Sequence, residues 1–332
     1  MKTTTRAVRS SVLATVLLLP AAARAQVPEM TGPFVHDNLA VFLLHDPAAT
    51  GDEDVITLGE ALASGDVVLE ETGAVDQLVV SNRGSKTVYL QAGDVVKGGQ
   101  QDRTLRHDAL VPPRTRKKPL AAFCVESGRW HRRGGESARR FSSSAATLVT
   151  RKQKLAAKAA ANQGQVWHAV EEAQNKLGDK MGRSVKAQAS GTSLQLSLED
   201  GGLAQAADRY VRAIEAQLPG RKDVVGYAFA VNGQISAVDV YASPSLFRKM
   251  KNKLVRASAV EAVAEKQDGP SPPVTTAAVR ALLVDAESGA ARLELKGERT
   301  DVVRKETAGS VVFTAEDPAA GKRAVHKSYL KK

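Results

Sequence analysis

Cysteine occurs once in these 332 residues, aromatic side chains make up only 4 % of the chain, and metal-binding spacings are missing. The lone Cys124 excludes an internal disulfide in a monomer. Set between Phe123 and Val125 in an apolar run, it reads as a buried small hydrophobe rather than a reactive thiol. With so few aromatics, the core has to be packed mainly from Ala, Val and Leu. The six histidines are scattered; none stands four residues from another, and no His-x-Glu zinc pattern occurs. No Gly-Lys-Ser/Thr phosphate loop follows the glycine-rich stretch, and no Gly-x-Ser-x-Gly elbow is present. No metal and no cofactor is therefore expected.

Long hydrophobic runs are also missing. The longest, 12–23, is too short for a stable bilayer span and follows the basic residues Lys2, Arg6 and Arg9. Ala23-Arg24-Ala25 then supplies a small-x-small cleavage pattern, so 1–25 reads as a signal peptide cut after Ala25. The expectation is a periplasmic or secreted protein with no membrane attachment after cleavage. Losing Lys2, Arg6, Arg9 and Arg24 lowers the formal charge from +11 to about +7.

The chain is long enough for one large domain or two smaller ones. After a loop, 38–44 reads as a short apolar strand. Thr57 and Glu60 have the spacing of a capping box, so 57–63 reads as a short helix. The segments 67–71, 77–81 and 87–90 are β-branched runs separated by turn residues, and they predict a small antiparallel sheet or a sandwich.

The polar residues concentrate between 88 and 130. Gly98 and Gly99 allow backbone conformations and close approaches that other residues resist. Gln100, Gln101, Asp102 and Arg103 follow directly; on a strand Gln101 and Arg103 share one face and Gln100 and Asp102 the other. A basic loop at 114–118, entered through Pro112-Pro113, leads to a second strand carrying Cys124 and Glu126, then Arg129 and Trp130 after a Gly128 turn. Sequential strands usually pair, so the two segments are expected side by side, with Arg103 close to Glu126. Either that charge pair is structural, or Gln100, Arg103, Glu126 and Arg129 converge on a pocket walled by Trp130. Arginines there suit a carboxylate or phosphate through bidentate hydrogen bonds. Asp102 and Glu126 are the candidate acid/base pair should the site be hydrolytic.

Beyond Trp130 lies a basic, glycine- and serine-rich stretch at 131–147 that reads as an exposed loop. Its charges are not interleaved with aromatics, and nucleic acid is not expected as a partner. An apolar stripe through Leu155, Ala159, Val166, Val170, Ala173 and Leu177 predicts a helix, broken or kinked at 162–164. Trp167 reads as core beside that stripe, and His168 as a surface residue or, less well, a base. Leu203, Ala206, Ala207, Tyr210, Val211, Ile214 and Leu218 predict another helix, stopped by Pro219-Gly220. Two strands flank Asn232-Gly233 as a hairpin, and Ser243-Pro244 starts a third helix.

VVKGGQQDRTL followed by FCVESGRW resembles the bacterial domain named for its association with ARG and rhodanese-phosphatase-superfamily proteins. That family carries a glycine pair followed by Gln-x-Arg, and a Cys-x-Glu-x-x-Arg-Trp element. The likeness extends to Gln165-Val166-Trp167, the Asn232-Gly233 hairpin and the helix after it, over about 35–265. It implies a domain and a set of site residues, and no activity.

These readings combine into an α+β protein, with an antiparallel sheet or sandwich in the N-terminal half and helices packed on a hairpin in the C-terminal half. A main domain is expected over 26–266 and a linker over 267–276. A small β-rich extension over 277–332 should pack on the main body, because so short a piece is marginal alone. The expected site comprises Gly98, Gly99, Gln100, Arg103, Arg129 and Trp130 around a small anionic ligand, with Glu126 and Asp102 as the catalytic carboxylates of the alternative, a periplasmic hydrolase.

Overall fold

A computed structural model of the chain describes residues 28–49 and 55–332, with backbone alone at 143–146. The signal peptide read at 1–25 lies outside the described residues. From the N-terminal side, β1 (Glu29–His36) and β2 (Leu39–His45) form an antiparallel pair. The short β3 (Val55–Thr57) runs into α1 (Leu58–Ser64), whose N-terminus is closed by the expected capping box between Thr57 and Glu60. Then come β4 (Val67–Glu71), β5 (Gln77–Asn82), β6 (Thr87–Leu90), β7 (Asp94–Gly98), β8 (Arg103–Leu105), β9 (Ala109–Val111), β10 (Lys118–Cys124) and β11 (Phe141–Leu148).

The helical middle begins with α2 (Arg151–Lys154), which continues as a π-helical stretch, Leu155–Ala160. Ala161 takes a left-handed backbone there, and Asn162 caps α3 (Gln163–Met181), so the expected break falls where the sequence placed it. Next are α4 (Leu194–Leu198), α5 (Gly201–Glu215), the hairpin of β12 (Val224–Val231) and β13 (Gln234–Tyr241), and α6 (Pro244–Ala264), capped by Ser243. The chain closes with α7 (Thr276–Ser288), β14 (Ala290–Leu295), β15 (Asp301–Glu306), β16 (Ser310–Asp317) and β17 (Arg323–Lys331).

These strands make an α+β fold of mostly antiparallel sheets. The largest has the order β1-β2-β12-β13-β17-β16-β15-β14. β2 is apolar along nearly its whole length because both its faces are covered. Leu39, Val41 and Leu43 pack with Tyr227 and Phe229 under α5 and α6. Ala40, Phe42 and Leu44 pack with Ala228 and Val238 under Val279, Leu282, Leu283 and Ala286 of α7. Alternation along one strand thus feeds two cores. The C-terminal strands do not form a separate layer: β17 lies inside this sheet, hydrogen-bonded to β13 on one side and β16 on the other.

The second sheet has the order β11-β7-β8-β10-β5-β4, and the third is β3-β6-β9, with β3 and β6 parallel. Leu69, Leu78, Val80, Val88, Leu90, Leu105 and Val111 fill the core these two sheets share. On the outer side of β7 and β10, Val95, Phe123 and Val125 meet Val166, Ala169 and Val170 of α3. This contact sets α3 against the chain that follows Cys124.

Candidate functional site

The backbone turns out of β7 at Gly98 and Gly99, with φ of 116° and 58°. A Cβ at Gly99 would stand 2.5 Å from Glu71 Oε1 and 2.6 Å from Phe141 Cζ, so space as well as backbone angle requires glycine. The close approach serves the chain's own arginine. Arg129 Nη2 donates to Gly98 O at 3.3 Å, and Nη1 donates to Gly99 O at 3.1 Å.

Next in the chain, β8 pairs with β10 as expected, Arg103 opposite Cys124. The partner of Arg103 is nevertheless not Glu126. Its Nη2 donates to Glu71 Oε2 at 3.1 Å and Nη1 to Gln101 Oε1 at 3.3 Å, while Nη1 also reaches Cys124 Sγ. The expectation failed because β10 ends at Cys124: strand alternation no longer governs Glu126, which turns to the Asp102 side. Burial pushes the Cys124 thiol up to about 11, the nearby guanidinium opposing it only in part, so the buried small residue read from the sequence stays a neutral thiol. Trp130 lies over Arg103, 5.6 Å from guanidinium carbon to ring centroid, and is 45 % exposed.

Around Glu126 the bonding closes. Arg129 donates to both carboxylate oxygens at 2.7 Å, and the Asp102 N–H donates to Oε2 at 3.0 Å. Arg133 grips Asp102 through Nη1 at 3.0 Å and Nη2 at 3.1 Å, and reaches Glu126 at 3.4 Å and Glu136 at 3.0 Å. Ser193 donates to Asp102 Oδ2 at 2.6 Å. Burial disfavours the charged Glu126, but the Arg129 contact and neighbouring donors outweigh it and hold its carboxyl below the usual range. Four carboxylates, Glu71, Asp102, Glu126 and Glu136, thus interlock with Arg103, Arg129 and Arg133. Asp102, Arg103 and Glu126 have no exposed surface. Gln100 donates its N–H to Glu71 Oε1 at 3.0 Å, while its own side-chain oxygen is buried without a partner. Removing one member of such a buried pair typically costs about 3–5 kcal/mol.

Of the residues expected to converge, Glu126 and Arg129 meet, with Asp102, Gly98 and Gly99 beside them, whereas Gln100 and Arg103 turn to Glu71. Sequence reading missed Glu71, Arg133 and Ser193. The stretch around Arg133 looked like a solvated loop, yet Arg133 is buried because two carboxylates draw its guanidinium inward. No local pattern marked it.

Another buried polar network was not expected from the sequence. His326 Nδ1 meets Asp108 Oδ2 at 2.7 Å and its Nε2 meets Asp239 Oδ1 at 3.1 Å, with the Tyr241 ring stacked on it at 4.5 Å. Burial works against a charged imidazole, but the two aspartates prevail and raise the pKa of His326. Lys154 Nζ stands 3.6 Å from Asp239. The only sequence signal was Lys154 and Lys158, four residues apart beside an apolar stripe. With both ring nitrogens engaged, His326 has no free nitrogen to act as a base.

Two clefts adjoin these networks. One, of about 340 Å³, lies between α3 and the chain after Glu126, and includes Ser127, Trp167, His168, Gln174, Lys186 and Thr192. The Trp167 indole N–H donates to Glu126 O at 3.2 Å, and Thr192 Oγ1 donates to Ser127 O at 2.7 Å. Trp167 is thus partly exposed at a cleft wall rather than sealed in the core. The other, of about 240 Å³, lies between β9, β10 and the turn after β14 and is bordered by His107, Lys118 and Thr300. Among the described residues no group of three or more His, Cys, Asp or Glu could hold a metal ion.

No curated protein and no solved structure matches the chain. A family model does, over residues 28–330, from β1 into β17, and so takes in both polar networks and both clefts. By that match the chain belongs to the ARG and Rhodanese-Phosphatase-superfamily-associated Protein domain family (ARPP-1).

Proposed function

We propose that this chain is an exported binding protein for a small anionic molecule, held in the cleft between α3 and the segment after Glu126. The leader pattern at 1–25 supports export, and among the described residues no helix is long and apolar enough to cross a membrane. One observation carries the binding site. The Lys186 ammonium borders this cleft without an ion-pair partner among the described residues, across from an indole whose N–H is fixed to Glu126 O. Lys186 and the His168 imidazole face a single cleft carboxylate, Glu171.

In this reading the arginine network is the rigid back wall. It orients the carbonyl of Glu126 and hence the indole, and its guanidinium groups are already occupied by the chain's own carboxylates. A hydrolase working through Glu126 or Asp102 finds less support, because both are enclosed and each is bonded to arginine.

The test uses the chain recovered from the periplasm of an expressing bacterium, with Gln26 as its expected first residue. Small dicarboxylates, sugar acids and phosphate monoesters are screened by thermal shift, and Trp167 emission is followed in a Trp130→Phe background. A ligand present at a hundred times its Kd adds about 2.7 kcal/mol to stability. We expect at least one such anion to raise Tm and change the emission, with about tenfold weaker binding in Lys186→Met. A panel without any hit, or a hit indifferent to Lys186→Met, would overturn the proposal.

A further inference from the structure

The smaller cleft differs in chemistry. Leu105, Leu120, Leu295 and Pro119 give it apolar walls; His107, Lys118 and Thr300 stand among them, with Asp108 and Lys296 also on its border. His107 is only 8 % exposed and its Nδ1 is buried without a hydrogen-bond partner. Burial, reinforced by Arg106 and Lys158, pushes its pKa down to about 3, so the ring is neutral and one of its nitrogens carries a proton. Lys118 donates to Leu110 O at 3.1 Å and keeps two further ammonium protons. Burial lowers its pKa, with Glu298 opposing the shift in part and Arg299 adding to it. Thr300 accepts from the Leu110 N–H at 2.8 Å, and its hydroxyl proton has no acceptor among the described residues.

One carboxylate also borders the cleft, and it does not oppose an anion strongly. Asp108 Oδ1 accepts from the Ala92 N–H at 2.6 Å and its Oδ2 from His326 at 2.7 Å. Both oxygens of Asp108 are thus engaged by the chain's own groups, the His326 ring being held between Asp108 and Asp239. An unpartnered buried nitrogen is costly and usually signals a missing partner.

We propose that this cleft is a second binding site, specific for a small carboxylic acid with an apolar body. The carboxylate accepts from Lys118, the His107 ring N–H and the Thr300 hydroxyl, and the body lies among Leu105, Leu120 and Leu295. The volume of about 240 Å³ admits a single ring or a short branched chain. The site is independent of the Lys186 cleft and stands whether or not that cleft binds anything.

Benzoate is the probe, titrated into the full chain by calorimetry while the ring signals of ¹³C-labelled histidine are followed by NMR. The expected result is one-to-one binding that shifts the His107 signals, with benzyl alcohol and inorganic phosphate each at least about tenfold weaker. Lys118→Met should weaken benzoate about tenfold or more, and Lys222→Met, at an exposed lysine outside both clefts, should leave it unchanged. Because Lys118→Met removes a buried contact, Ala121→Phe serves as a second variant. Ala121 is exposed on the cleft rim, so the ring should block entry without disturbing the core. Absence of a His107 shift, equal binding of the alcohol or of phosphate, or undiminished binding in a folded Ala121→Phe would overturn the proposal.

Discussion

His107 is a base held neutral by its surroundings, and that has a measurable consequence for stability. Its pKa in the folded chain is about 3, against about 6.5 when unfolded. Between those values the unfolded state binds more protons, so stability must fall as the solution is acidified from pH 6.5. His326 acts in the opposite sense: its pKa is raised, so its contribution is complete below its unfolded value and fades as pH rises through the folded one. Carboxylates with lowered values, such as Glu126 and Asp108, lose their contribution only as pH falls through the usual carboxylate range and below. The window from pH 6.5 to 5 therefore isolates His107 best. Urea unfolding across it should show a stability loss about 1.5 kcal/mol larger in the wild-type chain than in His107→Phe. Parallel slopes would mean that the ring is solvated. Nothing in the sequence announced this residue, because its state depends on burial by β10 and the turn after β14, far along the chain. Asp102, Glu126 and Arg129 could be considered as a group because 32 residues, 98–129, hold all of them along with both glycines. Glu71 and Ser193 were not, since they arrive from strands and helices outside that stretch.

At the scale of elements, local chemistry was read well and pairing less so. Thr57 with Glu60, Asn232-Gly233 and Ser243-Pro244 each encode their turn or cap within a few residues, and each stands where the spacing put it. The Arg103–Glu71 pair depends instead on where β10 stops and how β4 is placed, which alternation within one strand does not determine. The glycine turn offers a direct measure of that packing. Gly99→Ala would force a Cβ into Glu71 Oε1 and Phe141 at a positive φ. Gly128→Ala meets a similar φ of 79° with open space around it. The backbone penalty alone is about 1–2 kcal/mol. We expect Gly128→Ala to cost that much, and Gly99→Ala to cost about 2 kcal/mol more by displacing Glu71 from Arg103. Equal shifts of the urea midpoint in the two variants would show that the Glu71 carboxylate moves aside freely.

For the whole molecule, the question is whether the last 55 or so residues are an addition or a part of the frame. Composition at 267–273 reads as a linker, and on that reading truncation at Asp268 should leave a folded, less stable core. The sheet order argues otherwise. β17 pairs with β13 from Ala237 to Tyr241, so truncation turns a central strand into a bare edge, with its N–H and C=O groups open to other chains. It also removes α7, uncovering the face formed by Phe42, Leu44, Ala228 and Val238. Finally it takes away His326, leaving Asp108 and Asp239 buried without the imidazole that bridges them. A buried charge stripped of its partner costs several kcal/mol, and a domain has only about 5–15 kcal/mol in all. The expected outcome is a truncated chain that aggregates or stays unfolded, with no cooperative urea transition, whereas substituting the linker prolines by Ser in the full chain should leave the transition nearly unchanged. A soluble truncated form with a cooperative transition and native circular dichroism would show that β1, β2, β12 and β13 hold together without β17, and would restore the reading of the tail as an extension.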